Sequence, residues 1–233
     1  MIKRKRSIID LVLVAIFALL YWKPFVFNVS EAFDISIPLK RNGFGIDVSH
    51  HQGEINWDTI LHNNNIKPNI DFVFIKASEG LNYIDPQFEL NASRLIENNV
   101  PTGAYHFFQP KKASVKQAVH FINTLNKHKL TLPPVLDVEV EGNSKDQLLD
   151  SVDVWLNHVE TKTGRRPIIY CSWSFYKNYF SDHSDYKFWI ARYSSSIDFE
   201  RDKKIIYWQF SEKAQLPFHN SKVDVNVSSI KFN

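Results

Sequence analysis

Pro134-Val-Leu-Asp-Val-Glu-Val140 reads as a β-strand apolar enough to be buried that nevertheless carries two acids. Side chains at i and i+2 on a strand share a face, so Asp137 and Glu139 point the same way. Two surface acids on a solvated edge strand would be the bland explanation. Val135, Leu136, Val138 and Val140 make the run too apolar for that, and Glu141 falls in the loop beyond.

Seven further runs of the same kind flank this one: Gly45-Ile-Asp-Val-Ser49, Phe72-Val-Phe-Ile-Lys76, Gly103-Ala-Tyr-His-Phe107, Pro167-Ile-Ile-Tyr-Cys171, Phe188-Trp-Ile-Ala-Arg192, Ile205-Ile-Tyr-Trp-Gln209 and Val223-Asp-Val-Asn-Val227. All are β-rich, short and bounded by turn residues. Helical patterns separate the first five. Asp85-Pro86 sets an N-cap and a first-turn proline for a helix to about Asn99. Ser114 opens another, with Ala118, Val119, Ile122 and Leu125 at helical spacing. Ser144 with Gln147 forms a capping box for a third, which Gly164 ends. A shorter helix fits near Asn56–Asn65. After Tyr170 the connections shorten and the helices fade. Alternation of this kind predicts a parallel sheet covered by helices, and eight strands suggest a closed barrel with an irregular final third. The alternative, an open doubly wound sheet, lacks a phosphate loop: Ser49-His50-His51-Gln52-Gly53 follows the first strand, with no Gly-x-Gly-x-x-Gly.

At 233 residues the chain suffices for one α/β barrel on the small side. Its hydrophobic content of 44% and charged content of 23% are globular. Aromatics at 14% suit a ring-rich core or a cleft that stacks flat ligands. Lys3, Arg4, Lys5 and Arg6 supply four of the 28 basic residues and Asp10 one of the 25 acids, leaving 24 of each, so no nucleic-acid-binding charge is indicated. The lone Cys171 excludes an internal disulfide or a cysteine zinc site, and its apolar run marks it as a buried thiol.

The amino terminus reads as an address. Lys3–Arg6 precede an apolar run from Leu11 to Trp22, the pattern that keeps the basic end in the cytoplasm. Residues 1–27 are read as a signal anchor, with a cleaved signal peptide as the alternative, because no small-x-small site follows closely. Residues 28–41 are expected to be a linker and 42–233 the folded domain, a monomer in the cell envelope or secreted.

Polar residues gather where the strands end: Asp47, Lys76, Tyr105 with His106, Asp137 with Glu139, Tyr170, Arg192, Gln209 and Asp224. In a parallel barrel that end holds the active site. Adjacent carboxylates repel and burial disfavours their charge, so one titrates abnormally high; a proton donor beside a charged carboxylate is what glycosidic cleavage requires. Asp47 and Asp224 lie on the first and last strands, neighbours if the barrel closes, and extend the acids to a cluster. His106 is expected to be a ring packed beneath the site. His50 and His51, adjacent on a strand, would face opposite ways and could not chelate one ion; no metal is expected. A serine triad lacks its Gly-x-Ser-x-Gly elbow. Trp208, opposite in phase to Tyr207 and Gln209, belongs to the core.

On these stretches, and on Phe72-Val-Phe-Ile-Lys-Ala-Ser-Glu-Gly80 and Tyr207-Trp-Gln-Phe210, the chain resembles glycoside hydrolase family 25, the Chalaropsis-type lysozymes, over roughly residues 43–228. The resemblance implies an irregular TIM-like β/α barrel of five βα units followed by three strands, and hydrolysis of the β-1,4 bond between N-acetylmuramic acid and N-acetylglucosamine in peptidoglycan. It implies Glu139 as general acid/base and Asp137 as the group that orients the substrate's 2-acetamido nucleophile. Asp47 and Asp224 would be further acids of the cleft, and Tyr105, Tyr170, Trp189 and Gln209 would line it; no cofactor is implied. Alternatives are a glycosidase acting on another N-acetylated glycan such as chitin, or a non-catalytic glycan-binding module on an anchor.

Overall fold

The computed structural model describes residues 27–39, 41–125, 128–182, 185–193, 197–198 and 201–232. The expected anchor, residues 1–27, lies outside them except for Phe27, which begins the first strand. Among the described residues no helix is long and apolar enough to cross a membrane.

Eight strands close into a barrel. In chain order they are β3 (Gly43–Val48), β4 (Phe72–Glu79), β6 (Thr102–Phe107), β7 (Val135–Asp137), β8 (Ile168–Ser172), β9 (Phe188–Ala191), β10 (Ile205–Gln215) and β11 (Lys222–Ser228), and β5 (Tyr83–Ile84) hangs from β4 as a short antiparallel rib. The β3–β4 pairing closes the ring. Seven barrel strands run parallel; β11 runs antiparallel to both β10 and β3. Reversal was not foreseen, and it puts Asp224, near the start of β11, opposite Asp47, near the end of β3.

Alternation sorts the side chains. The interior takes Phe72, Phe74, Val135, Ile168, Tyr170, Trp189 and Tyr207. The outer layer, beneath the helices, takes Ile46, Val73, Ile75, Leu136, Ile169, Cys171, Ile190 and Trp208. Rings this large fit in a small barrel because two strands carry no side chain where the rings lie. A Cβ on Gly45 would stand 2.4 Å from the Phe72 ring, and one on Gly103 2.3 Å from that of Phe74. Phe232 stacks on Phe72 at 4.9 Å and plugs the bottom.

Helices α1 (Trp57–His62), α2 (Phe88–Glu97), α3 (Ser114–Leu125) and α4 (Lys145–Thr163) cover the first part of the barrel. Asn56 caps α1 through Thr59 N, and Ser144 caps α4 through Gln147 N. The reciprocal half of the expected capping box is missing: Gln147 Oε1 accepts from Asn143 N and its Nε2 donates to Pro110 O. The helix expected from Asp85-Pro86 starts at Phe88, and Asp85 Oδ1 instead accepts from Gln87 N in the preceding turn.

The largest correction concerns residues 28–41. The expected linker holds a hairpin, β1 (Phe27–Ser30) with β2 (Ile35–Pro38). Phe33 is fully buried, edge-on to Phe44 at 5.0 Å, and Ile37 joins the same core. Gln215 N donates to Phe33 O. The outer faces of β3 and β11 carry Phe44, Ile46, Val225 and Val227, and the hairpin packs into the core these residues form, in the part of the barrel without crossover helices. Polar residues disguised it: only alternate positions of a covering hairpin are apolar.

Candidate active site

The rim at the carboxyl ends of the parallel strands gathers the predicted acids. Asp137 ends β7 and is 6% exposed; Glu139, two residues on, is exposed. The strand is shorter than the expected 134–139, although Val138 N still donates to Tyr170 O at 2.8 Å. Glu139 thus stands just above the strand, at the mouth. Burial, and then the charge of Glu139, push the Asp137 carboxyl well above the usual range. Burial also raises Glu139, opposed by the nearby polar hydroxyl of Tyr170 and by the charge of Lys76. Asp137 Oδ1 is buried and has no hydrogen-bond partner among the described residues. A bare buried carboxylate oxygen costs free energy unless a ligand supplies a donor.

Asp47 and Asp224 face each other across the β3–β11 ladder and are differently provided for. Asp47 Oδ2 accepts from Asn226 Nδ2 at 2.7 Å and Gln209 Nε2 at 3.0 Å, and Gln209 Nε2 also reaches Asp224 Oδ2 at 3.3 Å. Gln209 Oε1 in turn accepts from Tyr170 Oη at 2.8 Å and Tyr193 Oη at 2.6 Å. Burial raises Asp47 to about 6, with the amide donors opposing. Burial and then the Asp47 charge raise Asp224 to about 8. Neighbouring acids of this kind share a proton.

The remaining predicted residues divide. Tyr105 is half-buried, and its hydroxyl pKa is raised by burial and then by Asp47, Asp137 and Asp224. Tyr170 bridges towards both acid pairs. Gln209 is buried and orders the second pair rather than facing solvent. Trp189, 2% exposed, lies under the acids: Nε1 donates to Asn226 Oδ1 at 2.7 Å, and its ring stacks on Phe74 at 4.6 Å. It forms the floor of the site.

Some rim residues were missed or misread. Asn226 follows Asp224 by two, so its inward face was readable. Lys76, ending the Phe72-Phe74-Lys76 alternation, puts a cation near Asp137 and Glu139, pairs with Glu79 at 2.9 Å and lies over the Phe107 ring. Tyr193 gave no pattern signal, because it sits just past a strand end. His106 is not beneath the site. It points outward, between Ser78 Oγ at 2.8 Å and Gln117, against Trp155, and burial lowers its pKa to about 4. His50 and His51 lie in a single 3₁₀ turn, not on a strand, with rings 4.1 Å apart; His50 Nδ1 is 2.7 Å from Asp85 Oδ2. Among the described residues no His/Cys/Asp/Glu group could hold a metal ion.

Chemically, the mouth offers a solvent-facing carboxyl that can carry a proton, a buried carboxylate with an unfilled acceptor, and a cation that moderates both. Comparison with known proteins agrees with this reading. The sequence profile of Glycosyl hydrolases family 25 matches residues 46–218. The chain is 36% identical over 201 residues to the uncharacterized protein YegX of Escherichia coli strain K12, covering 84% of this chain and 73% of that one. It is 29% identical over 206 residues to Lysozyme M1 of Streptomyces globisporus, covering 81% and 67%. The structure of a family 25 glycosyl hydrolase from Bacillus anthracis superposes with a TM-score of 0.73 at 28% identity, covering 83% of this chain and 91% of that one.

Proposed function

The chain belongs to glycosyl hydrolases family 25, and from that premise we propose that it is a muramidase, cutting the β-1,4 bond between N-acetylmuramic acid and N-acetylglucosamine in peptidoglycan. The observation that carries the reading is the bare, buried Oδ1 of Asp137 beside the solvent-facing Glu139. A 2-acetamido group supplies the N–H which that oxygen lacks.

The proton then moves to where it is needed. In the free enzyme burial favours a protonated Asp137. An acetamide N–H donated to Oδ1 favours the ionised form, leaving the shared proton on Glu139. The acetamide oxygen bonds to the anomeric carbon as the glycosidic C–O bond breaks, and the departing oxygen takes its electron pair and the proton of Glu139. The cyclic intermediate is positively charged on its N–H side, where ionised Asp137 stabilises it. Glu139, now a carboxylate, deprotonates a water that attacks the same carbon and reopens the ring. The substrate's own nucleophile makes an enzyme carboxylate at attack distance unnecessary. We further place the barrel outside the cytoplasm, tethered through residues 1–27.

Reducing-end analysis of digested peptidoglycan tests the assignment. New N-acetylmuramic acid ends are expected; new N-acetylglucosamine ends, or cleavage of chitin with no action on peptidoglycan, would contradict it.

A further inference from the structure

We propose that the amino-terminal end of the barrel is a docking face for anionic phospholipid headgroups, which holds the cleft pointed away from the membrane. The inference extends the tether reading and is independent of the chemistry in the cleft.

Charge is unevenly distributed along the barrel axis, although the domain as a whole is nearly neutral. The catalytic rim carries Asp47, Asp137, Glu139 and Asp224, with Glu79, Glu141 and Glu212 nearby, against Lys76, Lys111, Lys112, Arg192 and Lys213. At the opposite end, the connections leading into the parallel strands and the tail after β11 expose Lys67, Lys129, Lys187, Arg201, Lys203 and Lys231. Two acids there are engaged by hydrogen bonds. Asp71 accepts from Phe44 N, and Asp202 accepts from Lys204 N and from the Tyr176 hydroxyl. Among the described residues, that end also holds Asp182, Asp185 and Asp198 between β8 and β10, Glu97 at the end of α2 and Glu160 near the end of α4, the last paired with Arg166.

Two further observations give this face a lipid partner rather than another polyanion. The first is where the chain enters. Phe27 pairs with Pro38, and four residues later Asn42 bonds Ser228 O and Ser229 O beside the start of β3. In the sequence only residues 23–26 separate the apolar run Leu11–Trp22 from this packed hairpin. The second is exposed apolar surface among the cations: Leu39 is 42% exposed and Ile230 38%. Lysines near an anionic bilayer are each worth about fivefold in association, an attraction that salt screens.

The full chain, reconstituted in vesicles whose lipids carry a headgroup quencher, tests this. Cys171 is buried, so a fluorophore can be placed selectively at Lys231→Cys on the proposed face or at Glu212→Cys on the catalytic rim. In vesicles of phosphatidylglycerol with phosphatidylcholine, the label at 231 should be quenched several-fold more than that at 212. High salt, pure phosphatidylcholine, or the combined Lys67→Glu, Lys187→Glu and Lys203→Glu variant should bring the two together, while that variant retains muramidase activity in detergent. Equal quenching at both positions overturns the docking face, as does a difference indifferent to lipid charge, or equal retention of the chain's labelled face by soluble polyglutamate. Failure of the chain to sediment with any vesicle overturns the tether as well.

Discussion

Two pairs of acids stand on facing walls of one barrel mouth, and the fold treats them oppositely. Gln209 bridges Asp47 and Asp224 and Asn226 donates to Asp47, the two amides themselves held by Tyr170, Tyr193 and Trp189. Asp137, beside Glu139, keeps an oxygen that nothing among the described residues satisfies. One pair is completed by the protein and the other requires a substrate to complete it. On the proposed muramidase reading, the difference separates a preorganised electrostatic wall from a reacting centre, although all four carboxyls have raised pKa values.

The sharpest way to break the comparison is Glu139→Gln, which removes the proton without removing bulk. Turnover of peptidoglycan should fall by about 10²–10⁴-fold with the thermal midpoint nearly unchanged; near wild-type cleavage would move the acid elsewhere. Asp137→Asn is next. Loss of the charge facing the intermediate should lower kcat by on the order of 10²-fold and leave glycan binding in place, since the amide keeps an acceptor oxygen. Removing a negative neighbour should also lower the pKa of Glu139, so what activity remains should shift to lower pH.

Lys76→Met probes the cation shared by the reacting pair. Lys76 lowers both Asp137 and Glu139, so its loss raises both and moves the pH–activity profile upward. A shift downward would show that Lys76 acts on substrate instead. The smallest effect belongs to the completed pair. Asp47 and Asp224 bind protons more tightly folded than unfolded, so their contribution to stability is greatest at low pH and is lost as pH rises through about 6 and then about 8. Asp224→Asn should flatten that decline, seen as a thermal midpoint that changes less between those pH values than in the parent.

What could be read in the sequence was what period two encodes. The strands, the inward pairing of Asp137 with Glu139, and the opposite phases of Tyr207 and Trp208 all follow from alternation within single runs. The neighbouring placement of Asp47 and Asp224 followed once closure was assumed. What escaped depended on direction and depth. The reversal of β11 leaves no mark in a short apolar run. Trp189 and Gln209 were assigned to the cleft by the family resemblance, which does not say how far down they lie; the ring of Trp189 lies beneath the acids. Asn226 obeyed the same alternation and was passed over, and Lys76 was placed at the strand ends but given no role, while Tyr193 and the paired His50 and His51 sit in turns, where no period holds. The hairpin at 27–38 was taken for a linker because one of its faces is wet.

The reversed last strand has a consequence for how this enzyme can be built upon. Had all eight strands run the same way, the carboxyl terminus would be delivered to the catalytic mouth. Instead β11 descends, and Phe232 closes the base against Phe72, on the same side where Asn42 ties the entering chain to Ser228 and Ser229. The last described residue, Phe232, thus lies at the floor. A fusion partner, purification tag or surface-immobilising handle joined after Phe232 would stand at the opposite end of the barrel from the acidic rim.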